Sequence, residues 1–170
     1  MRAFRFVIAT IAAVALAHIP GGAKADAVKQ VQLTDKQIDN YLASQKEISA
    51  LMQKMQGVQN NKPDPKLEGQ VEAVAKKHGF ANMGEYDDVS ENISLLMSCI
   101  DPKTKAFSEP KIAMQKQIDE IKADKTIPEP QKKQMLEDLN EALKTAEPIK
   151  FPSNIELIKK YYDKLDSAMQ

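Results

Sequence analysis

Four groups of side chains in this sequence are of types that do chemistry, and each meets a limit set by its own spacing. His78 stands in Lys77-His78-Gly79-Phe80, a pattern that predicts the end of a helix. A protonated imidazole there answers the helix dipole and the last unpaired carbonyls, so capping accounts for His78, with a catalytic or metal-binding role as the alternative. Cys99 follows Leu95-Leu96-Met97-Ser98 and reads as a small buried hydrophobe. It is the single cysteine of the chain, so the alternative is an intermolecular disulfide, and with it a homodimer. Met52 and Met55 place two thioethers on one helical face, a soft pair suited to cuprous copper. The same two positions fall on the expected core stripe of their helix, where methionine fills gaps. Glu85, Asp87, Asp88 and Glu91 lie within 79–101, a stretch without any basic residue. Their spacing does not match a calcium loop, and a helix carries its carboxylates outward. No neighbour would drive two of their pKa values apart for acid–base work. That leaves a solvated acidic face, with docking of a basic partner as its functional variant.

These residues need elements to hold them, and the helix punctuation is legible. Thr34 and Gln37 form a capping box, with Leu33 and Ile38 as the flanking hydrophobic staple. Ile38, Tyr41, Ile48, Met52 and Met55 then mark one face of a first helix ending near Gly57, and Gln45 takes its polar slot. Residues 58–64 read as a linker, and Asp64-Pro65 as a cap followed by proline in the first turn. Leu67, Val71, Val74 and Ala75 give the second helix its face; Gly79 supplies the left-handed stop and Phe80 packs back. Asn82 and Glu85 open a third helix with the stripe Tyr86, Val89, Ile93, Leu96, Met97 and Ile100. Asp101-Pro102 ends it. Ser108 is the expected cap of a fourth helix, built on Met114, Ile118 and Ile121. Prolines 128 and 130 break the chain before a fifth, on Met135, Leu136, Leu139, Ala142 and Leu143. Residues 147–152 must be extended, because each proline restricts its predecessor. Ser153 and Glu156 then suggest a capping box for a sixth helix through Ile155, Ile158, Tyr162, Leu165 and Met169.

The fold class expected is therefore all-α, a compact bundle or orthogonal array of about six helices. One shared core over 26–170 is the preferred organisation, with a subdivision near 101–108 as the alternative. The first 25 residues stand apart. Arg2 and Arg5 precede an apolar run over 6–17, then Pro20, Gly21 and Gly22, then Ala23-Lys24-Ala25. That is the pattern of a secretory signal peptide cleaved after Ala25, and it implies a periplasmic protein of 145 residues. Removing Arg2, Arg5 and Lys24 leaves 21 basic residues against 24 acidic ones, a net charge of about −3. Nucleic-acid binders carry a basic face, so no nucleic-acid partner is expected. No later segment has the apolar length of a membrane span, so no stable membrane insertion is expected either. After cleavage one histidine and one cysteine remain, too few ligands for a zinc site.

His78-Gly79-Phe80 leading to Glu85-Tyr86, then Asp101-Pro102-Lys103-Thr104-Lys105, then 154–158 with Tyr161-Tyr162, resemble a group of uncharacterised exported all-helical proteins of alphaproteobacteria. The resemblance spans most of the mature chain. It implies a periplasmic helical domain and carries over no activity, cofactor or site residue. The function expected is non-enzymatic: protein–protein interaction in the cell envelope, with an envelope or periplasmic protein as partner and no cofactor. The alternative is a helical carrier of a small apolar ligand or a soft metal ion, cuprous copper, in a Met-containing core.

Overall fold

A computed structural model describes residues 28–56 and 65–169. The leader, the 58–64 linker and the Asp64 cap lie outside the described residues. Within them the chain is all-α, with α1 (Asp35–Gln56), α2 (Pro65–Lys77), α3 (Met83–Ser98), α4 (Pro110–Ala123), α5 (Glu129–Thr145) and α6 (Ser153–Met169).

Local chemistry sets most of these limits. At the start of α1 the Gln37 amide donates to Thr34 Oγ1 (3.3 Å) and the Thr34 amide donates to Gln37 Oε1 (3.1 Å). Leu33 and Ile38 are both buried beside this reciprocal pair. Helix α2 ends at Gly79, whose φ is +90°. The Gly79 amide bonds the Lys76 carbonyl and the Phe80 amide bonds the Ala75 carbonyl, the paired closure of a glycine stop. Asn82 caps α3, its Oδ1 accepting the Glu85 amide at 2.9 Å. Glu85 reaches back one residue further than a reciprocal box requires, accepting the Ala81 amide at 2.7 Å.

Two expected caps are different in the structure. Ser108 does not cap α4: its amide donates to the Cys99 carbonyl (2.8 Å), next to an antiparallel bridge between Ile100 and Phe107. The helix starts at Pro110 without a side-chain cap. Proline there has no N–H to satisfy, so less is lost. Ser153 is itself the first residue of α6, and Glu156 pairs with Lys159 (2.8 Å) instead of closing a box. Backbone bonds from Asn154 to Phe151 and from Ile155 to Pro152 close that turn.

The main core is built by α1, α2, α3 and α6. Ile38, Tyr41, Ile48, Ala75, Phe80, Val89, Ile93, Leu96, Ile158 and Leu165 belong to one buried cluster. Tyr86 stacks on Tyr41 with ring centroids 5.8 Å apart and meets Phe80 edge-on at 5.3 Å. The polar position on the α1 stripe is Ser44 rather than Gln45. Ser44 is fully buried and its hydroxyl donates to the Tyr41 carbonyl, as a small side chain can within its own turn. Gln45 sits at the margin and donates to the Tyr86 hydroxyl at 3.0 Å.

Helices α4 and α5 form a hairpin apart from this cluster. Ala113, Ile118 and Ile121 of α4 are buried outside it, whereas α5 buries none of its side chains. Among the described helices α5 meets only α4, and α4 meets the rest through α3. Helix α6 returns to α1 and α3, so the main core draws on chain from both sides of 101–108. The hairpin closes where the Ile149 amide donates to the Glu109 carboxylate at 3.4 Å.

Candidate functional site

The residues singled out by their chemistry are spread over the body of the molecule. His78 turns its ring across to α1, with Nε2 3.1 Å from Glu47 Oε1. Lys77 Nζ lies 2.8 and 2.9 Å from the two oxygens of the same carboxylate. Lys77 and then His78 hold the Glu47 carboxyl below its ordinary range. The expected role of His78 as a cap on α2 is thus replaced by a tie between helices. The physical reason is local: Gly79 and Phe80 already satisfy carbonyls of the last turn, and a carboxylate is the stronger acceptor.

Cys99 is buried just after α3. Burial pushes its thiol up to about 11, so it stays protonated at neutral pH, and a partner sulfur would reach it only after local opening. Met52 does not lie on the core stripe: it is 36% exposed near the end of α1. The α1 stripe drifts outward beyond Ile48. The Met55 side chain lies outside the described residues, so the proposed soft pair has one described member, and that member faces solvent. Among the described residues no group of three or more His, Cys, Asp or Glu side chains converges to hold a metal ion.

The acidic group divides in two. Glu85 is engaged at the N-terminus of α3, accepting from Ala81 and from Gln37 Nε2 (3.2 Å). Asp88 is half-buried and pairs with Lys29 at 2.5 Å. Asp87 and Glu91 remain outward, one turn apart. Burial pushes the Asp87 carboxyl up, and Glu91 and Asp88 add to the effect by repulsion. Only this outer pair is available to a basic partner without breaking an internal bond.

A second constellation, absent from the residues that sequence reasoning selected, surrounds the extended segment 29–33. Asn92 of α3 and Asn154 of α6 are each only 2% exposed. Asn92 Oδ1 accepts the Val31 amide (3.1 Å), and its Nδ2 donates to the Lys29 carbonyl (2.8 Å) and the Asp88 carbonyl (2.7 Å). Asn154 Oδ1 accepts the Leu33 amide (2.9 Å), and its Nδ2 donates to the Val31 carbonyl (2.8 Å). Gln30 works from the segment itself: it donates to the Pro148 carbonyl (3.0 Å) and accepts the Lys150 amide (2.7 Å). Two side-chain amides on helices thereby do what a neighbouring strand does, bonding alternate residues along one edge of an extended chain. The available signal was Asn92 itself, a polar residue one turn after Val89 and next to Ile93 on the buried stripe.

The α4–α5 hairpin supplies the remaining candidate surface. Ile112 on α4 is 62% exposed. It lines an open hollow with Gln115, Lys116 and Ala123, and a second open hollow on α5 is lined by Pro130, Lys133, Leu136 and Asn140. Met135, Leu136, Leu139, Ala142 and Leu143 are all half-buried along α5. No described helix is long and apolar enough to cross a membrane. Against protein-family models, curated proteins and solved structures alike, the chain has no match.

Proposed function

We propose that this protein is an exported, non-enzymatic helical module of the cell envelope that binds another protein through the α4–α5 hairpin. The observation that carries the reading is the incomplete burial of α5. Its apolar stripe faces α4 alone, and none of its side chains is buried. An amphipathic helix is normally stabilised by burying such a stripe, and an amphipathic helix of a partner laid against the hairpin would complete it. Export rests on the leader pattern, and kinship with the alphaproteobacterial group rests on the quoted motifs; both belong to this proposal. The carrier alternative draws little support from the geometry, since Met52 faces solvent and both hollows are open. Of the two groups from which a nucleophile–base pair would be assembled, His78 is paired with Glu47, and Cys99 is buried with its thiol raised to about 11.

Photo-crosslinking in exporting cells tests the reading. A photoreactive residue at Ile112 or Lys133 is expected to trap the same protein, and one at the exposed Ala73 of α2 is not. Equal adducts at all three positions, or none at the hairpin, would overturn it. Mass measurement of the purified protein checks the leader: a chain retaining residues 1–25 in the periplasmic fraction refutes cleavage after Ala25.

A further inference from the structure

The two roots of the α4–α5 hairpin are held in different ways. The root of α4 is fixed: the Ser108 amide bonds the Cys99 carbonyl, Ile100 bridges Phe107, and Pro110 is fully buried. The root of α5 is the segment 147–150, exposed except at Ile149, which rests half-buried against the main core. Glu109 accepts the Ile149 amide at 3.4 Å, a long bond from within the other root. Gln30 takes both neighbours of Ile149, donating to the Pro148 carbonyl at 3.0 Å and accepting the Lys150 amide at 2.7 Å. It is the one described side chain outside the roots that hydrogen-bonds this segment. Since α5 meets no described helix but α4, the hairpin has one fixed root and one tied root.

The segment 29–33 that carries Gln30 is divided in the same way. Asn92 and Asn154 grip Val31 and Leu33 at groups that are buried or partly buried, where a lost partner is heavily penalised. The two bonds of the Gln30 side chain are exposed, and water replaces them at little loss. Residues 31–33 are therefore an anchor, and Gln30 is a catch that opens without disturbing it.

We infer that Gln30 is a latch: it sets the angle at which the α4–α5 hairpin stands on the body, and its closure is coupled to partner binding at the hairpin. The coupling rests on the function proposed above; the latch itself does not. With the latch closed, both roots are held and the hairpin presents one surface. With it open, the α5 root keeps only Glu109 and the packing of Ile149, and the hairpin pivots about the buried Pro110. A partner helix laid along a pivoting hairpin must also order it, so the closed form binds more tightly. By linkage, a bound partner holds the latch closed.

Residual dipolar couplings of the backbone amides read the angle in the mature chain without any partner. In Gln30→Ala the couplings of α4 and α5 are expected to shrink while those of α1, α3 and α6 hold. The side-chain amide signals of Asn92 and Asn154 report on the anchor and are expected to stay in place. Gln30→Glu keeps the acceptor for the Lys150 amide and loses the donor for the Pro148 carbonyl, so it should fall between Gln30→Ala and wild type. Unchanged couplings in α4 and α5 of Gln30→Ala overturn the latch, as does a loss spread evenly over the helices. If Gln30→Ala displaces the Asn92 and Asn154 signals, Gln30→Glu decides on the same criteria. The coupling is read in exporting cells with the photoreactive residue at Lys133, where Gln30→Ala should lower the yield of the partner adduct by about fivefold. Equal yields overturn the coupling. Absence of any adduct in the wild-type chain overturns the proposed function and the coupling with it, while the latch stands or falls on the dipolar couplings.

Discussion

Replacing Asn154 by alanine measures how strongly the amide clamp contributes to stability. The substitution removes two hydrogen bonds, one accepted from the Leu33 amide and one donated to the Val31 carbonyl. The Leu33 amide is buried and is left without a partner, a loss of about 1–3 kcal/mol, while the partly buried Val31 carbonyl finds water and loses about 0.5–1.5 kcal/mol. The expected destabilisation is therefore about 2–4 kcal/mol. Asn92→Ala acts on the Val31 amide and the Lys29 carbonyl, both only partly buried, and should lose about 1–3 kcal/mol. The double variant is the sharper test, because both residues hold one segment. Once the segment detaches, the further loss is limited to what remains of the Leu33 burial, so the two effects should fall short of adding by about 0.5–3 kcal/mol. Urea unfolding followed by far-UV circular dichroism, with the slope unchanged, reads all three values. An Asn154→Ala variant within about 0.5 kcal/mol of wild type, or full additivity in the double, would refute the clamp.

Two glycines form a controlled pair. Gly69 has open space where a Cβ would stand in α2, so Gly69→Ala should stabilise by about 0.5–1 kcal/mol. Gly79→Ala should destabilise by about 1–2 kcal/mol, because φ is +90° and the new Cβ would meet Asn40 Nδ2 at 2.8 Å; melting curves showing the same sign for both refute this. For Cys99, a thiol raised from 9.0 to about 11 should alkylate about 100-fold more slowly in the folded protein than in urea at the same mildly alkaline pH. Equal rates would place the sulfur at the surface. Asp101 is held down to about 2, chiefly by the Thr104 amide and hydroxyl. Its folded value lies below the ordinary 3.8, so its contribution is present above that value and fades as pH falls toward about 2. The stability gap between wild type and Asp101→Asn should narrow over that window and stay flat above it.

The helices were legible because each carries its own start and stop chemistry. Thr34 with Gln37, Asn82 before α3 and Gly79 after α2 act within a few residues, and the structure keeps all three. Ser108 and Ser153 misled because capping residues are common where a helix begins, and at both places a neighbouring proline or backbone bond served instead. The failures in the sites have one cause. Whether Met52 faces the core, whether His78 turns to its own helix or to Glu47, and whether Asn92 is satisfied all depend on which distant segment packs nearby. Residues 29–33 were silent for the same reason: an extended strap whose partners lie beyond residue 85 has no local period. The all-α class was therefore available from the sequence, whereas the clamp was not.

The contact between the Ile149 amide and the Glu109 carboxylate also bears on how the chain is assembled. It means that the path out to α4 and the path back from α5 begin and end at the same place. The four helices that share the core are topologically complete without the excursion, and a short turn joining 109 to 149 would restore their continuity. The hairpin is then a cassette. Its length and sequence can change by insertion, deletion or exchange while α6 still reaches α1 and α3. A surface free to vary in this way can be retuned to new partners without renegotiating the fold that carries it.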